Sequence, residues 1–116
     1  MKKIIVGMIK GRHELPVEDY IFDVVENVHD YDAIHAHIMN FLKSRVGLTT
    51  TYGCGINQVD YADVEILCGK SELVVYVTGL TCVTAELIRC CAMYGVSLTL
   101  MHYDNVTGSY MAQKIF

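Results

Sequence analysis

The sequence predicts an α/β fold: one small mixed sheet with two main helices and a right-handed β-α-β crossover over residues 74–103. Three observations predict it. Lys3–Ile9 is a continuous apolar run rich in Ile and Val, as in a strand covered on both faces. Two stretches, Asp30–Val46 and Thr81–Tyr94, carry apolar residues at helical spacing and are each followed by glycine. The β-branched run Val74–Val77, the second helix and the apolar run Val96–Tyr103 follow one another with short connections. At 116 residues the chain is one domain, 1–116.

Taken in order, Lys3–Ile9 is the first strand and Lys10–Pro16 a loop punctuated by Gly11 and the single proline. Tyr20–Val25 is a second, shorter strand. In the first helix Asp30 or Asp32 caps the N-terminus, and Ile34, Ile38, Phe41, Leu42 and Val46 form one face. Lys43 and Arg45 suit the last turn, and Gly47 ends it. Leu48–Asp60 is the least regular part, with Thr49–Tyr52 a candidate strand and Gly53-Cys54-Gly55 a turn.

Ala62–Cys68 alternates in polarity and is expected to pair as an antiparallel hairpin with Leu73–Val77. Thr81 is expected to cap the second helix and Gly95 to stop it. Val83, Leu87, Cys90, Cys91 and Tyr94 make its buried stripe, with Glu86 and Arg89 on the outer face. Val96–Tyr103 is a strand, Asp104–Gly108 a turn and Ser109–Ile115 a returning strand.

Composition narrows the function. Hydrophobic residues make up 53 % of the chain and mean hydropathy is +0.32, so a homo-oligomer that buries apolar surface between subunits is expected. The net charge of −4 argues against duplex nucleic acid, which needs a basic field. No segment has the plan of a signal peptide or the length of a membrane span, so a cytoplasmic location and no membrane partner are expected. The five cysteines show no Cys-x-x-Cys spacing, and Cys82, Cys90 and Cys91 fall in an apolar helical pattern, as free thiols in a reducing compartment do. His35 and His37 are two apart on a helix and point to nearly opposite sides, and no His-x-x-x-His occurs, so no metal and no cofactor is expected.

The functional signal lies at the first junction of the crossover. In open α/β sheets ligands collect beyond the carboxyl ends of the parallel strands. There Thr78-Gly79-Leu80-Thr81 leads into a helix whose first turn has unpaired N–H groups and a partial positive charge. Gly79 admits a ligand close to the backbone, and Thr78 and Thr81 add hydroxyls, a recipe for a phosphate or carboxylate seat. The strand Val96–Tyr103 brings His102 and Tyr103 to the same edge. If the first strand is parallel to the others, Arg12 and His13 arrive there too. Arg12 suits a phosphate and Tyr103 a base. His13 or His102 is the alternative catalytic residue, a general acid for a metal-independent cleavage of a cyclic phosphodiester by a ribose hydroxyl. A purely structural or interaction module is the third reading.

Val77-Thr78-Gly79-Leu80-Thr81, the helix to Gly95, Val96–Leu100 and Asp104–Gly108 together resemble the ligand-binding half of CRISPR-associated Rossmann-fold sensor and ring nuclease domains. There a Thr-Gly-Gly-Thr-like turn contacts a cyclic oligoadenylate. Here Leu80 stands in place of the second glycine, and no lysine follows Thr81. The whole chain looks more like the small phage proteins of the first Thoeris anti-defence family. The shared features are the compact size, the Ile4–Ile9 strand with Gly11-Arg12-His13-Glu14-Leu15-Pro16, and the Val75–Thr81 block. That resemblance implies an oligomeric sponge that binds a cyclic ADP-ribose isomer, and in some members cyclic oligonucleotides, without degrading it. It would act in the host bacterial cytoplasm if phage-encoded.

Overall fold

The computed structural model describes residues 2–11, 15–46, 49–52, 58–61 and 71–116. Five strands form the main sheet: β1 (Lys2–Ile9), β2 (Tyr20–Phe22), β5 (Ser71–Tyr76), β6 (Leu98–Asp104) and β7 (Ser109–Lys114). Their spatial order is β2-β1-β5-β6-β7. β1 is parallel to both β2 and β5, β5 is parallel to β6, and β7 returns antiparallel to β6. The helices are α1 (Tyr31–Phe41), extended by a π-helical turn Leu42–Val46, and α2 (Thr81–Tyr94). A separate antiparallel pair, β3 (Thr49–Tyr52) and β4 (Gln58–Tyr61), completes the described elements. The predicted α/β class, with a mixed sheet and two main helices, is the observed one.

β5 is central because both of its edges are used. Lys2–Gly7 pairs along its whole length, and Leu73–Tyr76 pairs with Leu98–Met101 on the other side. The expected antiparallel hairpin with Ala62–Cys68 is therefore ruled out for Leu73–Tyr76. Residues 62–68 themselves lie outside the described residues, as do Gly47 and Gly53–Gly55. Valine and leucine at 73–75 fit a strand flanked by two neighbours better than an exposed hairpin arm.

Both helices pack on one face of the sheet. Ile4, Val6 and Met8 of β1, Leu73 and Val75 of β5, and Leu98 and Leu100 of β6 meet Ile34, Ile38 and Met39 of α1 and Val83, Leu87, Cys90 and Cys91 of α2. All of these are buried. The opposite face is barer than the sequence suggested. Ile5 is 49 % exposed, so β1 is fully covered on one side only. Its apolar run is longer than its burial needs. Gly7 is the exception on that face: a Cβ there would sit 2.6 Å from the Tyr20 ring and 2.9 Å from Leu15. The missing side chain lets the β1–β2 loop fold back onto the strand.

That fold-back explains how β1 and β2 are parallel without a helix between them. β2 pairs only with the last residues of β1, Gly7 with Tyr20 and Ile9 with Phe22, so the loop has little distance to recover. A full crossover would need a dozen residues or more.

The helix ends follow local chemistry. Asp30 caps α1, its Oδ1 accepting from Ala33 N at 3.2 Å. α2 spans the expected residues, but Leu80 is its cap position and no side chain caps it. Thr81 is instead the first helical residue. Gly95 stops the helix at φ +72°, a conformation cheap only for glycine.

Glu86 also departs from expectation. It does not face outward: its side chain is 13 % exposed and accepts from His35 Nδ1 of α1 at 2.7 Å and from Arg89 Nη1 at 3.0 Å. The Cys90 thiol donates to it at 3.4 Å. These contacts join α1 to α2. No described helix is long and apolar enough to cross a membrane.

Burial raises the Glu86 pKa, but the hydrogen bonds from His35, Cys90 and Arg89 outweigh it and hold the carboxyl below its ordinary 4.5. The folded chain thus binds this proton more weakly than the unfolded chain, and the contribution to stability is present above that value and drains as pH falls through and below it. Glu86→Gln should therefore lose less Tm than wild type when thermal denaturation is moved from about pH 7 to about pH 4. Equal losses in the two proteins would contradict the assignment.

Candidate functional site

Three parallel strands end at one edge of the sheet. Register aligns Gly7, Tyr76 and Met101, and beyond that level β1 runs on to Ile9 and β6 to Asp104. Strand order, read along the chain, reverses at β1 and β5, which is where such sheets hold ligands. A cavity of about 590 Å³ opens at this edge, within the size range of small-molecule sites, about 300–1,000 Å³. Its walls are Val77, Thr78 and Gly79 after β5, His102, Tyr103 and Asn105 at the end of β6, Tyr110 of β7, and Leu15 from the β1–β2 loop.

Thr78 is the telling residue. It is 3 % exposed, and its Oγ1 has no hydrogen-bond partner among the described residues. A buried hydroxyl left unpaired costs about 1–3 kcal/mol, so such groups are rare in folded proteins unless something pairs with them. Gly79, next in the chain, has φ +88°, and a Cβ there would meet nothing within 4 Å. The glycine is required by the backbone turn and not by crowding. The open space beside it leaves the main chain approachable.

The aromatic wall is a run of three rings. Tyr110 packs edge-on against Tyr76, with centroids 4.8 Å apart, and against Tyr103 at 5.4 Å. Tyr103 remains 55 % exposed, so its ring offers a free surface at the cavity mouth. The turn that follows is fixed by Asp104, which accepts from Val106 N and from Thr107 Oγ1, each at 3.0 Å. It accepts through its backbone carbonyl from Gly108 N at 2.8 Å. Gly108 adopts φ +69° to close the turn. Asn105 is thereby held at the cavity wall.

His102 sits half-buried with Nε2 donating to Gln113 Oε1 of β7 at 2.7 Å.

Of the residues singled out in the sequence, Thr78, Gly79, His102 and Tyr103 share this cavity. Thr81 does not. It lines a shallower depression of about 300 Å³ on the helix side, with Thr84, Ala85 and Ile88. The two spaces adjoin, sharing Val77, Gly79 and His102. Leu80 lines neither and packs toward the core. Arg12 and His13 lie outside the described residues. Leu15, Asn105 and Tyr110 were not singled out. Asn105 and Tyr110 were within reach of sequence reasoning, since the turn and returning strand place them beside Tyr103. Leu15 was not, because nothing local predicts the loop's fold-back onto Gly7.

Two substitutions separate the roles of neighbouring residues. Thr78→Val keeps the shape and removes the unpaired hydroxyl, so it should raise the stability of the free protein by about 1 kcal/mol. Gly79→Ala should lower it by about 1–2 kcal/mol through the positive φ alone. Urea denaturation of the two variants measures both. A destabilised Thr78→Val would show that the hydroxyl already has a partner.

No protein family matches the chain, and no curated protein or solved structure is significantly similar to it.

Proposed function

We propose that the chain captures a cyclic nucleotide messenger in the Thr78 cavity and holds it without cleavage. The observation that carries this reading is the buried Thr78 hydroxyl, without a partner among the described residues, on a residue that lines a cavity of small-molecule size. A turn of the Thr78 side chain toward the cavity would let a bound phosphate or ribose oxygen pair with it. The uncapped first turn of α2 and the open main chain at Gly79 favour an anionic group on the same ligand. The exposed Tyr103 ring supplies a stacking surface for a base. Asn105 and the tyrosine hydroxyls add neutral polar groups in a chain of net charge −4.

Among the described residues, the one histidine at the cavity, His102, is held by Gln113 Oε1 at 2.7 Å, which supports capture over cleavage. The resemblance to Thoeris anti-defence sponges supports the same reading and names its ligand class, a cyclic ADP-ribose isomer with cyclic oligonucleotides as alternatives. A homo-oligomer is part of the proposal. Ile5 at 49 % and Tyr103 at 55 % exposure leave apolar surface on the sheet face opposite the helices.

The test is to incubate the protein with a cyclic ADP-ribose isomer, remove free ligand, denature by heat and chromatograph what is released. Release of intact ligand, about one per cavity, is expected. Linear product would replace the proposal with a ring nuclease. Retention of neither this ligand nor a cyclic oligoadenylate would remove the cyclic-nucleotide assignment. Thr78→Val should bind about tenfold more weakly, the worth of one hydrogen bond to a charged group.

A further inference from the structure

Away from this cavity, the α1–α2 joint gathers three metal-ligating side chains of different chemistry. His35 Nδ1, Glu86 Oε2 and Cys90 Sγ all lie within 4.8 Å of one another. We infer that His35, Glu86 and Cys90 form a binding site for a thiophilic divalent transition metal, zinc above all, that clamps α1 to α2.

The geometry is close to that of a metal-ligand set. Cys90 Sγ is 3.4 Å from His35 Nδ1 and 3.4 Å from Glu86 Oε2. Sulfur, nitrogen and oxygen on a tetrahedral zinc lie about 3.3–3.6 Å apart, given bonds of about 2.0–2.3 Å. Only the His35–Glu86 separation, 2.7 Å, must widen, and it is a hydrogen bond that the metal would replace. His35 can move to allow this, because its side chain is 34 % exposed while Glu86 is 13 % exposed.

The spacing explains why the set forms. Glu86 and Cys90 are four apart on α2 and so share one face, and that face packs on α1 at His35. The histidine spacing within α1 gave no sign of it, since the other two ligands come from a helix about fifty residues away in the chain.

The chemistry balances. Cys90 binds as thiolate, its proton passing to solvent, and Glu86 is already a carboxylate, so two negative charges meet the dication. Neutral His35 presents the Nδ1 lone pair, its proton moving to Nε2. Arg89 Nη1 donates to Glu86 at 3.0 Å and serves as the outer partner that orients the ligating carboxylate. A water completes the shell from the solvent-open depression beside His35, Glu86 and Arg89. The thiol selects zinc or cobalt over magnesium or calcium.

Cobalt(II) titration of the metal-free protein tests this, read by sulfur-to-cobalt charge-transfer absorption, with zinc competition and Tm measured alongside. Wild type should show a saturable band, one cobalt per chain, that zinc abolishes, and zinc should raise Tm. Cys90→Ser should lose the band. His35→Gln, which keeps all five cysteines, should weaken binding by more than the roughly 10–100-fold that loss of an outer-shell partner costs. No band in wild type, or a band unchanged in both variants, overturns the site. The second result would assign the metal to other thiols. None of these readouts involves the nucleotide cavity.

Discussion

The structure depends on one packing constraint: β5 must pair on both sides while its Leu73–Val75 face is sealed under two helices. A strand so placed can only be parallel to β1 and β6 if long connections carry the chain back across the sheet, and α1 and α2 lie in those connections. The same constraint puts the carboxyl ends of β1, β5 and β6 at one edge. The cavity is a consequence. It is built from what each strand does next: the turn at Gly79, the fold-back that brings Leu15, and the Asp104 turn that brings Asn105 and Tyr110.

Within that edge the energetics are uneven. The core face is satisfied throughout, with Val6, Leu87, Cys90 and Leu98 at zero exposure. At Thr78 the chain instead buries a hydroxyl that has no partner among the described residues. A valine would fill the same space without that cost. The contrast between a closed core and a polar atom orphaned, among the described residues, just behind the cavity wall is the physical basis for reading the edge as a ligand seat. The joint between α1 and α2 shows the opposite strategy. There Glu86 is buried only because His35, Arg89 and Cys90 all donate to it.

Much of this was legible in the sequence, because it is set by local signals. The apolar run of β1, the 81–94 helix with its glycine stop, the aspartate cap of α1, which falls to Asp30 of the two candidates, and the Asp104–Gly108 turn depend on periodicity and capping, and each stands where expected. The errors were tertiary. Leu73–Val77 was expected in a hairpin because its neighbour alternates, but pairing with β1, some seventy residues earlier, decides its place. A helical wheel places Glu86 on the outer face because it cannot show that α1 lies over that side. Thr81 suits a cap by residue type, whereas the backbone makes Leu80 the cap position. For the site, Thr78, Gly79, His102 and Tyr103 follow from the rule of strand ends, while Thr81 lines the adjoining depression that shares Val77, Gly79 and His102 with the cavity.

The central claim, that the Thr78 cavity is where a cyclic nucleotide binds, is tested most directly by mapping amide chemical shifts during titration with a cyclic ADP-ribose isomer. The account predicts that the largest shifts fall at Thr78, Gly79, Tyr103, Asn105 and Tyr110, with α1 little changed. Saturable shifts that leave those five residues unmoved would place the ligand elsewhere and contradict it.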